Sequence, residues 1–166
     1  MLKETEIRPD PLMAEQNRLY MLDIEDLLKY KKDFVFVSCP ACNTNSNKKV
    51  WEKYTLNYVE CNNCKTIFIN PRPTPKILDL YYSNSRNYEY WNKYIFPSSE
   101  EVRRKKIFKP RAELINGLCV KYETKLNTLV EVGAGYGTFC EEIKKMNLFE
   151  RVIAVEPTPS LAATCR

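Results

Sequence analysis

Four of the seven cysteines form two closely spaced pairs. The pairs are Cys39-Pro40-Ala41-Cys42 and Cys61-Asn62-Asn63-Cys64, and 18 residues separate them. Two residues between cysteines allow both thiolates to bind one ion at about 2.3 Å, and a separation of roughly 15 to 20 residues is typical of a zinc site with four cysteine ligands. The spacing therefore predicts zinc bound by Cys39, Cys42, Cys61 and Cys64. The alternative is four unrelated buried or redox-active thiols.

This zinc is expected to be structural. Cysteine fills all four ligand positions, so no position is left for a catalytic water. The ion would fold a module of residues 34–73 that is too small to be stable by its hydrophobic core alone. The remaining cysteines have no such spacing and are interpreted as ordinary buried thiols: Cys119, Cys140 and Cys165.

A glycine-rich turn follows a β-branched run near the end of the chain. The segment Leu129–Gly137 reads Leu-Val-Glu-Val-Gly-Ala-Gly-Tyr-Gly. It is not a G-x-G-x-x-G dinucleotide fingerprint, because the last glycine would fall on Thr138, and the chain has no P-loop motif. The pattern that fits is acidic-x-Gly-x-Gly-x-Gly, led by Glu131. A second acid, Glu156, stands 19 residues after Gly137, where a carboxylate at the end of the next strand can accept hydrogen bonds from ribose hydroxyls.

This combination resembles motif I of class I S-adenosylmethionine-dependent methyltransferases. The resemblance implies that the turn contacts the amino acid part of the cofactor, that Glu131 anchors the turn or the amino group through water, and that Glu156 binds the ribose. The cofactor-binding residues that it implies are Glu131, Gly133, Ala134, Gly135, Gly137 and Glu156. The alternative is a tight turn in another α/β fold, with Glu156 merely solvated.

The resemblance extends over much of the chain. A four-cysteine ribbon, an Asn-Pro-Arg-Pro-Thr-Pro linker, an aromatic and basic connector and motif I are together similar to bacterial methyltransferases of surface-polysaccharide and deoxysugar biosynthesis. It implies a small-molecule acceptor such as a nucleotide-linked sugar or a polysaccharide precursor. The family's sheet has seven strands, whereas 29 residues follow Gly137. We therefore expect a fragment that is inactive alone or is completed by another chain.

The connector before the turn combines aromatic and basic residues. Its cations are Arg103, Arg104, Lys105, Lys106, Lys109 and Arg111. Three interpretations are open for these cations: a subsite for a diphosphate, a surface that binds nucleic acid, or the solvated face of a helix. The modest net charge of +5 disfavours a nucleic-acid partner. Tyr88 and Tyr90 are candidates to line the site, and no residue is assigned as the catalytic base.

Composition excludes several classes of function. The chain has 166 residues and no histidine, which removes Ser-His-Asp triads, Cys-His pairs and histidine zinc ligands. Apolar runs are far shorter than the roughly 20 residues needed to cross a bilayer, and the N-terminus does not resemble a secretory signal. We therefore expect a cytoplasmic protein without a membrane segment.

The predicted architecture is α/β, with a zinc ribbon followed by the start of a Rossmann-like sheet. The predicted parts are an N-terminal helix over 1–33 that ends near Lys32, the ribbon over 34–73, a helical and aromatic connector over 74–120, and the cofactor-binding portion over 121–166. The ribbon strands are expected at Phe34–Val37, Trp51–Val59 and Thr66–Ile69. A capping box of Ser98 and Glu101 is expected to begin a connector helix. The last part is expected to contain the strand Thr128–Val132, the helix Thr138–Met146 and the strand Arg151–Val155.

The competing function is a zinc-ribbon module that binds nucleic acid or protein and has no activity of its own.

Overall fold

The fold is mixed α/β and divides into two compact units. A computed structural model describes residues 2–165. One unit is Leu22–Tyr81, and the other joins Met1–Met21 to Tyr82–Arg166. The first unit contains a three-stranded antiparallel sheet and the second a two-stranded parallel sheet. The α/β class expected from the sequence is therefore confirmed at this level.

The antiparallel sheet consists of β1 (Asn47–Lys53), β2 (Leu56–Cys61) and β3 (Ile67–Ile69), in that order. Strands β1 and β2 form a hairpin whose two turn residues, Tyr54 and Thr55, both have positive φ, as a tight two-residue hairpin turn requires. This turn interrupts the run Trp51–Val59, which was expected to be one strand.

The strand expected over Phe34–Val37 is wrong. Only Val35 forms a β-bridge in this segment, and its partner is Arg72. The side chain of Asn70 replaces the rest of the ladder: it accepts a hydrogen bond from the Val37 N–H at 3.0 Å and donates to the Val37 carbonyl at 3.3 Å. The side-chain amide thus makes the hydrogen bonds to the Val37 N–H and carbonyl that a neighbouring strand would otherwise make.

The core of this unit lies between the sheet and two helices. Helix α1 (Asp10–Leu28) contributes Leu27, and α2 (Pro75–Ser83) contributes Ile77. They pack with Phe34 and Leu56. The first helix ends at Leu28 instead of near Lys32, and a short 3-10 turn, Lys31–Asp33, follows it.

In the second unit, helical structure is nearly continuous from Arg86 to Lys121. Helices α3 (Arg86–Tyr90), α4 (Phe96–Arg103) and α5 (Lys109–Lys121) are joined by two π-helical segments, Trp91–Ile95 and Arg104–Phe108. The expected helix start at Ser98 is wrong. Ser98 lies inside α4, where its hydroxyl donates to the carbonyl of Ile95 at 3.0 Å. A serine within a helix can bond the preceding turn, so the capping pattern alone did not fix the boundary.

The parallel sheet follows these helices. Its elements are β4 (Thr128–Val132), α6 (Thr138–Met146), β5 (Arg151–Val155) and α7 (Pro159–Thr164). Strands β4 and β5 pair in parallel, with Thr128 opposite Arg151 and Val132 opposite Val155. The bounds of β4, α6 and β5 confirm the predicted ones. Phe139 and Ile143 of α6 and Ala112 of α5 form the buried core of this unit.

Within residues 2–165, every helix is too short or too polar to cross a lipid bilayer.

Candidate functional site

The four predicted zinc ligands lie together in the ribbon. Their four Sγ atoms are all within 4.8 Å of one another. The Sγ atoms of Cys39 and Cys64 are 3.5 Å apart, as are those of Cys42 and Cys61. Sulfur atoms at about 2.3 Å from one tetrahedral ion would be about 3.8 Å apart. The cluster therefore has the dimensions of a site that can hold a metal ion.

Two loops of the same conformation supply these cysteines. In each loop the residue after the second cysteine has a positive φ, 59° at Asn43 and 64° at Lys65. Its N–H donates to the carbonyl of the first cysteine, at 2.9 Å from Asn43 to Cys39 and 3.1 Å from Lys65 to Cys61. The left-handed residue turns the chain back so that both thiols of a pair point to the same place. Asparagine adopts this conformation readily, whereas lysine does so at a cost of about 1 kcal/mol.

The loops extend to a threonine that the sequence analysis missed. Each loop has the pattern Cys-x-x-Cys-x-Thr, ending at Thr44 and Thr66. The first cysteine donates its N–H to the threonine carbonyl, and both N···O distances, Cys39 to Thr44 and Cys61 to Thr66, are 2.9 Å. The repeat was visible in the printed sequence and could have been found by extending the comparison of the two pairs by two residues.

The environment favours the thiolate form of the second cysteine in each loop. Hydrogen bonding to the hydroxyl and backbone of Thr44 lowers the pKa of the Cys42 thiol to about 5. The side chain and backbone of Thr66 lower the pKa of Cys64 in the same way. Because a metal binds the thiolate and not the thiol, these two cysteines are prepared to act as ligands near neutral pH.

The glycine turn joins β4 to α6. All three of its glycines are left-handed, with φ of 80° at Gly133, 57° at Gly135 and 81° at Gly137. The N–H groups of Gly133 and Ala134 donate to the carbonyl of Val155 at 2.8 and 3.2 Å. These bonds bind the turn to the carboxyl end of β5, where ligands of open α/β sheets are commonly bound.

Glu156 lies directly against this turn. Its Oε2 accepts the N–H of Gly135 at 2.8 Å, and its Oε1 accepts the N–H of Thr158 at 2.9 Å. The acid that the sequence placed near the turn is therefore adjacent to it. That backbone N–H groups engage both of its oxygens could not be predicted from the sequence.

Glu131 is directed toward α6. Its Oε2 accepts a hydrogen bond from the Cys140 thiol at 3.1 Å. Burial raises the pKa of the Glu131 carboxyl above its usual range. Burial and the neighbouring carboxylate likewise raise the pKa of Cys140 to about 12. Glu131 thus links the strand before the turn to the helix after it.

Other side chains cover part of the turn. The ring of Tyr136 stacks on Phe96 of α4 with centroids 5.3 Å apart, and the Cys165 thiol donates to the carbonyl of Gly135 at 3.2 Å. Beside Gly133, in contrast, a Cβ would meet nothing within 4 Å. A cavity of about 300 Å³ adjoins the turn and is lined in part by Gly137, Glu156 and Cys165.

Much of the basic connector is already paired within its own unit. Arg104 bonds three carboxylates, those of Glu100, Glu141 and Glu142. The Arg103 guanidinium lies 5.3 Å from each of the ring centroids of Trp91 and Phe96. The candidate tyrosines stack within the connector, Tyr88 on Tyr82 and Tyr90 against Tyr94. These pairings reduce the number of cations that a phosphate or a nucleic acid could recruit.

Comparisons of the chain with protein-family models, with curated proteins and with solved structures each gave no match. The functional assignment therefore depends on the residues and geometry described above.

Proposed function

We propose that the chain binds S-adenosylmethionine at its glycine turn and serves methyl transfer to a small molecule, with the ribbon stabilised by a structural zinc ion. The observation that carries the proposal is the left-handed glycine turn between two parallel strands, with the Glu156 carboxylate 2.8 Å from the N–H of Gly135. The acceptor that the sequence resemblance implies, a nucleotide-linked sugar or polysaccharide precursor, is part of this proposal.

The residues around the turn fit the cofactor. Each oxygen of Glu156 accepts one backbone N–H and keeps a lone pair that can accept a ribose hydroxyl. The open space beside Gly133 leaves bare main chain accessible to the amino acid part of the cofactor. The sulfonium supplies an activated methyl group, so the task of the protein is to bind and align rather than to activate.

The zinc proposal follows from the donor set. Four sulfur ligands in a cluster of tetrahedral size suit zinc, and four cysteines are enough to fill the four positions of a structural zinc site. The ion would join the first loop, Cys39–Thr44, to the second, Cys61–Thr66.

Calorimetric titration of the zinc-loaded chain with S-adenosylmethionine tests the cofactor proposal. We expect Glu156→Ala to weaken binding by about ten- to a hundredfold, because a hydrogen bond to a charged group is worth about 1.5 to 3 kcal/mol. Glu156→Gln, which keeps the size and one acceptor oxygen, should weaken binding less. Glu150→Gln is the matched control, since Glu150 is an exposed acid just before β5.

Two results would contradict the cofactor proposal. One is no heat of binding from a wild-type chain whose circular dichroism shows the expected helix and strand. The other is equal affinity of the wild type and Glu156→Ala.

A second candidate function is suggested by a groove on the ribbon. A cavity of about 470 Å³ lies between the segment Phe36–Ser38 and β1 and β2. The ring of Phe36 is 80% exposed at its edge, and within the described chain the Asn57 amide in its wall has no hydrogen-bond partner. An exposed aromatic ring can stack on a base, and an amide beside it can bond the edge of that base. This observation favours the alternative in which the ribbon is a nucleic-acid-binding module.

Fluorescence anisotropy with a labelled single-stranded oligonucleotide distinguishes this alternative. If the groove binds bases, Phe36→Ala should weaken binding about tenfold, since stacking on an aromatic side chain is worth about 1 to 3 kcal/mol. Tyr122→Ala, which removes an exposed ring from the other unit, is the control. Absence of binding by the wild type would reject the module and leave the cofactor proposal unaffected.

A further inference from the structure

We infer that Thr44 and Thr66 are a matched pair of positioning residues, each of which donates its hydroxyl hydrogen to the more exposed thiolate of its metal-binding loop. The inference rests on the proposed zinc site and goes beyond its four ligands. Neither threonine would touch the ion. Each acts on the metal through a cysteine.

The threonine has the same spacing and the same backbone bond in both loops, and its hydroxyl lies at a similar distance from the sulfur. Thr44 Oγ1 lies 3.3 Å from Cys42 Sγ, where the protonated thiol donates to the hydroxyl, and Thr66 Oγ1 lies 3.2 Å from Cys64 Sγ, where either atom can be the donor. In each case the threonine is two residues after the second cysteine, and its own carbonyl accepts the N–H of the first cysteine. Main-chain and side-chain atoms of one threonine therefore hold both cysteines of its pair.

The direction of the hydroxyl bond follows from the chemistry of the ligand. A cysteine bound to a metal is a thiolate and has no proton to donate. A threonine hydroxyl can donate or accept. Once the metal is bound, the hydroxyl must be the donor and the sulfur the acceptor, so the bond withdraws charge from the ligand and fixes its orientation.

Burial explains why the second cysteine of each pair receives this bond. Cys39 and Cys61, the first cysteines, are 2% and 0% exposed. Cys42 is partly exposed, and Cys64 is exposed. A thiolate at the surface is the one that water, acid or an oxidant reaches first. Each threonine hydroxyl thus takes one hydrogen-bond acceptor site of the sulfur that is closer to solvent.

The expected consequence of these two hydrogen bonds is tighter metal binding. Partners that bond a metal ligand commonly change metal affinity by 10- to 100-fold when they are removed. Valine has the shape of threonine but no hydroxyl, so Thr44→Val and Thr66→Val remove the bond with little change in side-chain volume. Serine keeps the hydroxyl and removes only a methyl group.

Cobalt substitution provides the test. The wild type and the variants Thr44→Val, Thr66→Val, Thr44→Ser and Thr66→Ser are loaded with Co²⁺, and metal affinity is measured by competition with a chromophoric chelator. We expect each valine variant to bind about tenfold more weakly, with the thiolate-to-cobalt absorption band displaced, and each serine variant to be close to wild type. Thr128→Val, an exposed strand position in the other unit, is the control for threonine replacement.

The outcomes separate the two proposals. A wild-type chain that takes up no cobalt overturns the zinc site and, with it, the role of the threonines. A wild type that binds cobalt with four-thiolate absorption, together with valine variants of unchanged affinity and spectrum, overturns the threonine role alone. Serine variants as weak as the valine variants would also overturn it, because they would assign the effect to packing of the methyl group.

Discussion

The carboxylate of Glu156 accepts a hydrogen bond from the N–H of Gly135 at 2.8 Å, although 21 residues separate the two. The acid follows β5, and the glycine belongs to the turn that follows β4. Parallel pairing brings these two carboxyl ends to the same edge of the sheet, where the acid and the turn can meet. Any ligand bound by Glu156 would therefore be held directly against the turn.

Two glycines should respond oppositely to alanine. Gly137→Ala forces a left-handed alanine, and its Cβ would lie 3.0 Å from the Cys165 sulfur, so we expect a loss of about 1 to 2 kcal/mol in stability. Gly117→Ala lies in the interior of α5, where a Cβ meets nothing within 4 Å, and should gain about 0.5 to 1 kcal/mol. Thermal unfolding monitored by circular dichroism compares them. Equal melting temperatures would contradict the role assigned to the turn.

Removal of a ligand should release the metal. Cys61→Ser changes a fully buried ligand, and we expect bound zinc to fall from one ion per chain to a small fraction of that value. A chelator should have the same effect on the wild type and should collapse the amide dispersion of the ribbon in nuclear magnetic resonance spectra. Cys119→Ser is the control, because Cys119 lies outside the cluster. Full zinc content in Cys61→Ser would disprove the ligand assignment.

Arg103 should not tolerate lysine. Its planar group contacts the rings of Trp91 and Phe96, and it donates to the Ser99 hydroxyl and to the carbonyl of Ile7. Lysine cannot reproduce these simultaneous contacts, so Arg103→Lys should cost about 1 to 2 kcal/mol. Lys105→Ala, which removes an exposed neighbouring cation, should change stability by less than about 0.5 kcal/mol. Indistinguishable melting temperatures of the two variants would contradict this prediction.

Glu142 should contribute to the loss of folding stability at acidic pH. Burial tends to raise the pKa of its carboxyl, but hydrogen bonds from Lys145 and Arg104 outweigh burial and lower the pKa below its usual range. A carboxyl with a lowered pKa stabilises the fold above its unfolded-state pKa, and this contribution is lost as the pH falls through the folded-state value.

Glu142→Gln should therefore lower stability by about 2 kcal/mol at pH 7 and show a weaker decline than the wild type below about pH 4.5. Melting temperatures across acidic pH measure this effect. Glu113→Gln, an exposed acid on α5, is the control. Parallel pH profiles for the wild type and Glu142→Gln would exclude the assigned interaction.

Local rules in the sequence were sufficient for several parts of the structure. Two residues between cysteines and a hairpin-length separation predicted the cluster of four sulfur atoms, because metal-binding loops are built within a few residues. The bounds of β4, α6 and β5 were also predicted, since a β-branched run, three glycines and an amphipathic helix differ sharply along the chain. The Cys-x-x-Cys-x-Thr repeat belongs to the same class of local signal, although it was overlooked.

Tertiary structure decided what distant side chains bond. Asn70 replaces a strand partner for Val37, 33 residues away, and Ser98 lies inside a helix that it was expected to begin. Arg103 reaches the carbonyl of Ile7, 96 residues earlier. Residue spacing and secondary-structure propensity describe only a few neighbouring residues. The hydrogen-bond partner of a polar side chain depends instead on which groups the tertiary packing places within about 3 Å of it. The sequence thus determined the positions of the cysteine pairs and the glycine turn, and only the folded chain decided which groups hold them.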